Sequence, residues 1–238
     1  MDLYIIIATR RSGHHAIINW LDSILPNTGN FIEDTDWVYD KPLFIPSIKD
    51  NLIEYLDHDL SIKYKPINNN SYCIFNIEER ELSYIKDSID KSSGWSNIHL
   101  IINHRSFLNF LSSKSNHPIE GKQPNLTNGV IRWGEYSNEI LNPTIFDKFT
   151  TILFDKWFQS LEYRTKISSI FDGNINNEVT HKVPKNGKGS TFDGISKDKN
   201  AKNMDVLNRK SLLSNEMVIQ SEEMGYIELS NKIFNKSI

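Results

Sequence analysis

The chain has 238 residues, 27 basic against 30 acidic side chains, a formal net charge of −3 and one cysteine, Cys73. That balance excludes a disordered acidic chain and a globally basic nucleic-acid binder. A lone cysteine excludes an intrachain disulfide and a cysteine-rich zinc site.

With 38% hydrophobic and 11% aromatic residues, the chain can bury about 70% of its unfolded surface, and one domain over 1–238 is expected. No run nears the ~20 apolar residues of a membrane span. The apolar start at 3–8 is too short for a signal-peptide core and follows Asp2, so a soluble, cytoplasmic protein is expected.

Residues 3–8 form a continuous β-branched run that suits a strand buried on both faces. It breaks at Thr9-Arg10-Arg11-Ser12-Gly13. Ile17, Ile18, Trp20, Leu21, Ile24 and Leu25 then recur at helical spacing until Pro26 and Gly29. Residues 47–56 carry Ile48, Leu52, Ile53 and Leu56 and read as a helix. A second buried strand covers 72–77 and closes on Glu78-Glu79-Arg80, before a helix over about 81–91. A third strand, 99–103, leads into His104-Arg105-Ser106 and a helix through Phe107, Leu108, Phe110 and Leu111. Residues 118–128 are polar and turn-rich, and a helix follows over about 131–141. A fourth strand spans 150–154, and one long helix is expected over 155–171. Residues 174–200 read as a polar loop. Helical patterning returns through Met204, Leu207, Leu212 and Leu213, then over 217–234. Strands alternating with helices predict an α/β fold of three layers, a mostly parallel sheet flanked by helices.

In such sheets ligands bind beyond the carboxyl ends of the strands. The loop after the first strand opens a helix, whose free N–H groups and positive dipole end attract anions. Gly13 permits close backbone approach, and Arg10 and Arg11 add charge. Aligned on the nucleotide-binding pattern Gly-x-x-x-x-Gly-Lys-Ser/Thr, the chain has His14 at the lysine and His15 at the hydroxyl. Both groups needed for ATP and magnesium chemistry are thus missing. Adjacent histidines diverge on a helix, so only one of His14 and His15 is expected to face a ligand.

The segment Arg10-Arg11-Ser12-Gly13-His14-His15-Ala16, together with Arg105 at a strand end and Ser113 eight residues later, resembles the PAPS-dependent sulfotransferase family, as a divergent bacterial-type member. That family transfers a sulfuryl group from 3′-phosphoadenosine 5′-phosphosulfate (PAPS) on a P-loop NTPase-like fold. The resemblance implies that Arg11 stands where the family has a lysine, near the 5′-phosphate and the bridging oxygen. Ser12, Gly13, His14 and His15 would form the 5′-phosphate loop, and Arg105 and Ser113 would hold the 3′-phosphate. A dianionic phosphate suits an arginine fork and a hydroxyl. Ala16 replaces the tryptophan that stacks on adenine in the family. The stretch 152–158 with Tyr163-Arg164 resembles the late strand-helix unit of bacterial relatives, or is plain amphipathic core. Lys188 and Gly189, within 185–192, resemble the loop that closes over the 3′-phosphate, or form a solvated surface loop.

Sulfuryl transfer to a hydroxyl or amine needs a base, in-line geometry and positive charge on the departing phosphate oxygen. Glu78 is the first choice of base. Glu79, His14 and His15 are alternatives. His104 should face away from Arg105 in an extended strand. Glu33, Asp34, Asp36, Trp37 and Tyr39 follow the first helix, where an acceptor pocket would lie, and either bind a saccharide or other small acceptor or form a surface turn. No metal is expected. The competing expectations are a P-loop small-molecule kinase using ATP and a non-catalytic nucleotide-binding member of the fold.

Overall fold

The computed structural model describes residues 1–26, 29–33, 42–57, 61–67, 71–115, 126–175 and 205–235. Their principal feature is a five-stranded parallel sheet of β1 (Asp2–Ala8), β2 (Gly29–Glu33), β6 (Tyr72–Glu78), β7 (Asn97–His104) and β8 (Thr150–Leu153), in the order β2-β6-β1-β7-β8. The β-branched run at the start of the chain is the central strand. Leu3, Ile5, Ile6, Ile7 and Ala8 are fully buried because helices cover both faces. Burying each such aliphatic side chain contributes about 1.5–3 kcal/mol.

The helices are α1 (His14–Ile24), α2 (Leu82–Ile89), α3 (Phe107–Ser115), α4 (Leu126–Leu141), α5 (Phe154–Gln159), α6 (Leu161–Ile170), α7 (Asn215–Glu223) and α8 (Tyr226–Asn235). The right-handed rule for parallel crossovers, applied to this strand order, assigns α1 to one face of the sheet and α2, α3 and α4 to the other. Contacts agree with this division. The Trp20 ring of α1 meets the Trp157 ring of α5 edge-on at 5.8 Å. On the opposite face, the Leu82 amide of α2 donates to Glu135 Oε1 of α4 at 2.8 Å.

Five readings of the elements need correction. Residues 47–56 are not helical: β3 (Ser47–Lys49) and β4 (Leu52–Leu56) pair antiparallel, with β5 (Ile62–Pro66) completing a second sheet. The helical spacing misled because the intervening Asp50 and Asn51 both adopt positive φ, 50° and 61°. That is the signature of a two-residue hairpin turn, and Asp and Asn tolerate it better than most residues. The long helix over 155–171 is two helices. Ser160 is extended between them and caps α6, its Oγ accepting from the Tyr163 amide at 3.1 Å. The C-terminal helical stretch also divides, at Gly225 with φ 73°. Strand β2 went unread because it is a short edge strand behind a proline and a glycine. Finally, α4 starts earlier than expected, inside the turn-rich stretch.

The register aligns the carboxyl ends of the three middle strands. Ala8 stands beside Glu78 on β6 and beside Asn103 on β7. Neighbouring strands β1 and β7 connect onward in opposite directions across the sheet, to β2 and to β8. This is the crevice where such sheets take ligands.

Candidate functional site

At the exit of β1 the chain turns sharply. The Ser12 amide donates to the Thr9 carbonyl at 3.2 Å. Arg11 and Gly13 both have positive φ, 69° and 83°. Gly13 is required twice over: its backbone is left-handed, and a Cβ there would sit 2.2 Å from the Phe154 ring. Among the described residues no side-chain hydrogen bond caps α1. Asn103 holds the loop from β7, its Nδ2 donating to Ser12 Oγ at 2.9 Å. Thr9 Oγ1 and Asn103 Oδ1 are buried with no hydrogen-bond partner among the described residues.

Arg105 follows β7 and is buried. Its Nη1 donates to the Arg11 carbonyl at 3.0 Å, Nη2 donates to the Val206 carbonyl, and the guanidinium lies 5.1 Å from the Phe154 ring centroid. Ser113, on α3, accepts from Arg209 Nη1 at 3.0 Å. Arg209 was not foreseen. It stands on a short 3-10 turn, Arg209–Leu212, that packs on α3. Arg11 is held down to about 10 by its own burial and by the like charge of Arg209, with Glu78 pulling the other way. The structure thus brings Arg11, Arg105, Ser113 and Arg209 to one corner of the crevice. An Arg-Lys pair after the polar loop was the only signal in the sequence for Arg209.

The carboxylates at the end of β6 part company where the strand stops: Glu78 is its last extended residue, and Glu79, with a φ of 54°, turns the chain out of the sheet. Glu78 faces α1. Its Oε1 is 2.5 Å from His14 Nε2 and its Oε2 accepts from Arg10 Nε at 3.0 Å. Burial pushes the Glu78 carboxyl up, but His14, Arg10 and His15 outweigh it and hold the group at about 2. Arg10 is therefore engaged with Glu78. Glu79 faces the other helical layer and pairs with Lys114 of α3.

The two histidines do not diverge as expected. Their ring centroids are 4.2 Å apart, and their ring nitrogens and the Glu78 carboxylate lie within 4.8 Å of one another. On the first turn of α1, directly after a left-handed glycine, both rings turn back toward β6. Burial, then the neighbouring His14, push His15 down to about 4, which keeps it neutral at pH 7. Two imidazoles and a carboxylate are also a donor set for a divalent metal. Arg10 on the same carboxylate and the positive end of α1 work against a dication there.

His104 faces away from Arg105, as an extended strand requires. It is fully buried, 2.9 Å from Ser137 Oγ through Nε2 and packed on Trp133 at 4.6 Å. Burial pushes it down to about 3, which suits a structural, neutral ring. The late stretch is core: Trp157 is fully buried and Tyr163 nearly so. Asp155, in the same stretch, caps α3 by accepting from the Ser106 amide at 2.8 Å and its hydroxyl at 2.9 Å. Lys188, Gly189, Asp34, Asp36, Trp37 and Tyr39 lie outside the described residues, as does the side chain of Glu33. No helix among the described residues is long and apolar enough to cross a membrane.

Compared with known proteins, the chain matches no family model and no curated sequence.

Proposed function

We propose that the protein is a sulfotransferase that moves a sulfuryl group from PAPS to a hydroxyl or amine acceptor. The observation that carries this reading is that Arg105 reaches the exit loop of β1 at the Arg11 carbonyl, while Arg209, whose charge bears on Arg11, meets Ser113. Two anion subsites would then lie side by side, one of backbone and one of guanidinium groups. A nucleotide with phosphates at both the 5′ and the 3′ position matches that pair. A nucleoside triphosphate puts its charge on one chain and leaves the second subsite idle.

The 5′-phosphate would rest on the loop between Ser12 and His15, at the uncapped end of α1. The 3′-phosphate would take Arg105, Arg209 and the Ser113 hydroxyl. In the reaction the acceptor oxygen or nitrogen bonds to sulfur as the bond from sulfur to the bridging phosphate oxygen breaks. Arg11 would stand near that departing oxygen and stabilise its charge. The acceptor proton passes to the Glu78–His14 pair. A carboxylate held at about 2 is a weak base at neutral pH, so the imidazole takes the proton and Glu78 stabilises the resulting cation. This shifts the role first expected of Glu78 from base to partner of the base. A cytoplasmic location, with an intracellular sulfate donor, belongs to the same proposal.

The test is calorimetric binding of adenosine 3′,5′-bisphosphate without metal, beside ATP with magnesium. The proposal expects the bisphosphate to bind and ATP to bind far more weakly. ATP with magnesium binding while the bisphosphate does not would overturn it in favour of a kinase. Bisphosphate binding with no sulfuryl transfer to any hydroxyl acceptor would support a non-catalytic member of the fold.

A further inference from the structure

Glu79 and Lys114 take no part in the chemistry above, yet they form a buried ion pair across the site. Glu79 is 1% exposed and Lys114 5%. Glu79 has a positive φ of 54°, and its amide donates to the Ala8 carbonyl at 2.9 Å. Its Oε1 accepts from the Arg10 amide at 3.3 Å and from Lys114 Nζ. One carboxylate oxygen therefore joins the backbone of the β1 exit loop to α3. Lys114 directly follows Ser113, whose hydroxyl meets Arg209. Gly129 of α4 closes over the pair: a Cβ there would lie 2.0 Å from Lys114 Nζ and 2.8 Å from Glu79 Oε1.

A buried ion pair is weak evidence for stability, since hydrophobic replacements often do as well. Its retention here is better explained by what it connects. On the loop side it holds Arg10, adjacent to Arg11 and the backbone subsite. On the helix side it holds the residue adjacent to Ser113 and the guanidinium subsite. Binding both phosphates of one rigid nucleotide requires a set distance between those subsites. A misplacement of about 1 Å can cost ~10²-fold in a positioned site.

We infer that the Glu79–Lys114 pair is a positioning strut that sets the spacing of the two anion subsites and so selects a nucleotide phosphorylated at both 3′ and 5′ over its 5′-monophosphate. This rests on the function proposed above. Neither residue touches the nucleotide; both act through their neighbours.

The experiment compares the affinities of adenosine 3′,5′-bisphosphate and adenosine 5′-phosphate in the full chain and in the double variant Glu79→Gln/Lys114→Met. That variant removes both buried charges together and keeps the side-chain shapes. The expected result is a bisphosphate affinity lowered about tenfold or more and a 5′-phosphate affinity within about threefold of the parent. A merely structural role would weaken both ligands equally, and an unchanged ratio overturns the inference. Should the double variant fail to fold, Gly129→Ala gives the same readout by crowding the pair, with the same two outcomes. If the unmodified chain binds no bisphosphate, it is the proposed function that fails. If it binds and the ratio is insensitive to the strut, only the strut fails.

Discussion

The exits of β1 and β7 lie side by side, and each begins a helix, yet they are built differently. The β7 exit is closed. Asp155 accepts from the Ser106 amide and hydroxyl and from Asn109 Nδ2, so a carboxylate of the protein itself serves the positive end of α3. The β1 exit has two positive-φ residues, a glycine pressed against Phe154 and, among the described residues, no capping side chain on α1. Among the described residues the end of α3 is met by a carboxylate and that of α1 by no side-chain cap, and the proposed function assigns the second to a phosphate. The β7 exit contributes side chains instead, Arg105 and Ser113. A loop that offers backbone beside a helix that offers side chains can hold two anions without competition.

The largest effect that would break this contrast is at Gly13. Gly13→Ala must place a methyl group in a left-handed backbone and against the Phe154 ring. A loss of about 2–5 kcal/mol is expected from strain and overpacking together, with loss of nucleotide binding. Thermal denaturation and calorimetry measure both, and an Ala variant with parental stability and binding would show that the loop is not tightly built.

At the other exit, Asp155→Ala removes the cap of α3. Stability should fall by about 1–2 kcal/mol in denaturant titrations. Bisphosphate affinity should change less than stability does, because Asp155 serves the closed exit. A larger drop in affinity than in stability would erase the distinction between the two ends.

Acid titration separates the exits more finely. His15 and His104, held at about 4 and about 3, bind fewer protons folded than unfolded. Their contribution is complete above pH ~6.5 and is lost as pH falls toward those values. Glu78, held at about 2, adds a loss that begins below pH ~4.5. Stability should therefore decline from neutral pH downward, and His15→Asn should flatten the part between pH ~6.5 and ~4. A variant whose decline matches the parent would mean that His15 is not held neutral by the loop. The smallest effect is at Ser113→Ala, which removes one hydroxyl and should weaken the bisphosphate by roughly three- to tenfold. No change would mean that Arg209 holds the phosphate without it.

Much of the sheet was legible because its signal is local. Five apolar residues of β1 are buried on both faces, and continuous β-branched runs have few other uses. The hairpin at Asp50-Asn51 was not, because its apolar residues also fit a helical period and only the turn chemistry distinguishes the two. The site divides in the same way. Arg11 and Gly13 could be named from one strand-loop-helix unit, whereas Arg105 and Ser113 could be named only through the resemblance to the sulfotransferase motif. Arg209, Lys114 and Asp155 could not, since each meets its partner from a distant element through tertiary packing. The convergence of His14 and His15 on Glu78 was missed because the helical periodicity that separates neighbours holds in a helix interior and weakens on its first turn.

The central claim is that two distinct anion subsites lie at these two exits. It is tested most directly by binding adenosine 3′,5′-bisphosphate and adenosine 5′-phosphate to the parent and to Arg105→Ala. The account predicts that the variant loses about 10²-fold or more in affinity for the bisphosphate, the scale of a charged hydrogen-bond pair, and keeps its affinity for the 5′-phosphate. Equal loss of both ligands would contradict it.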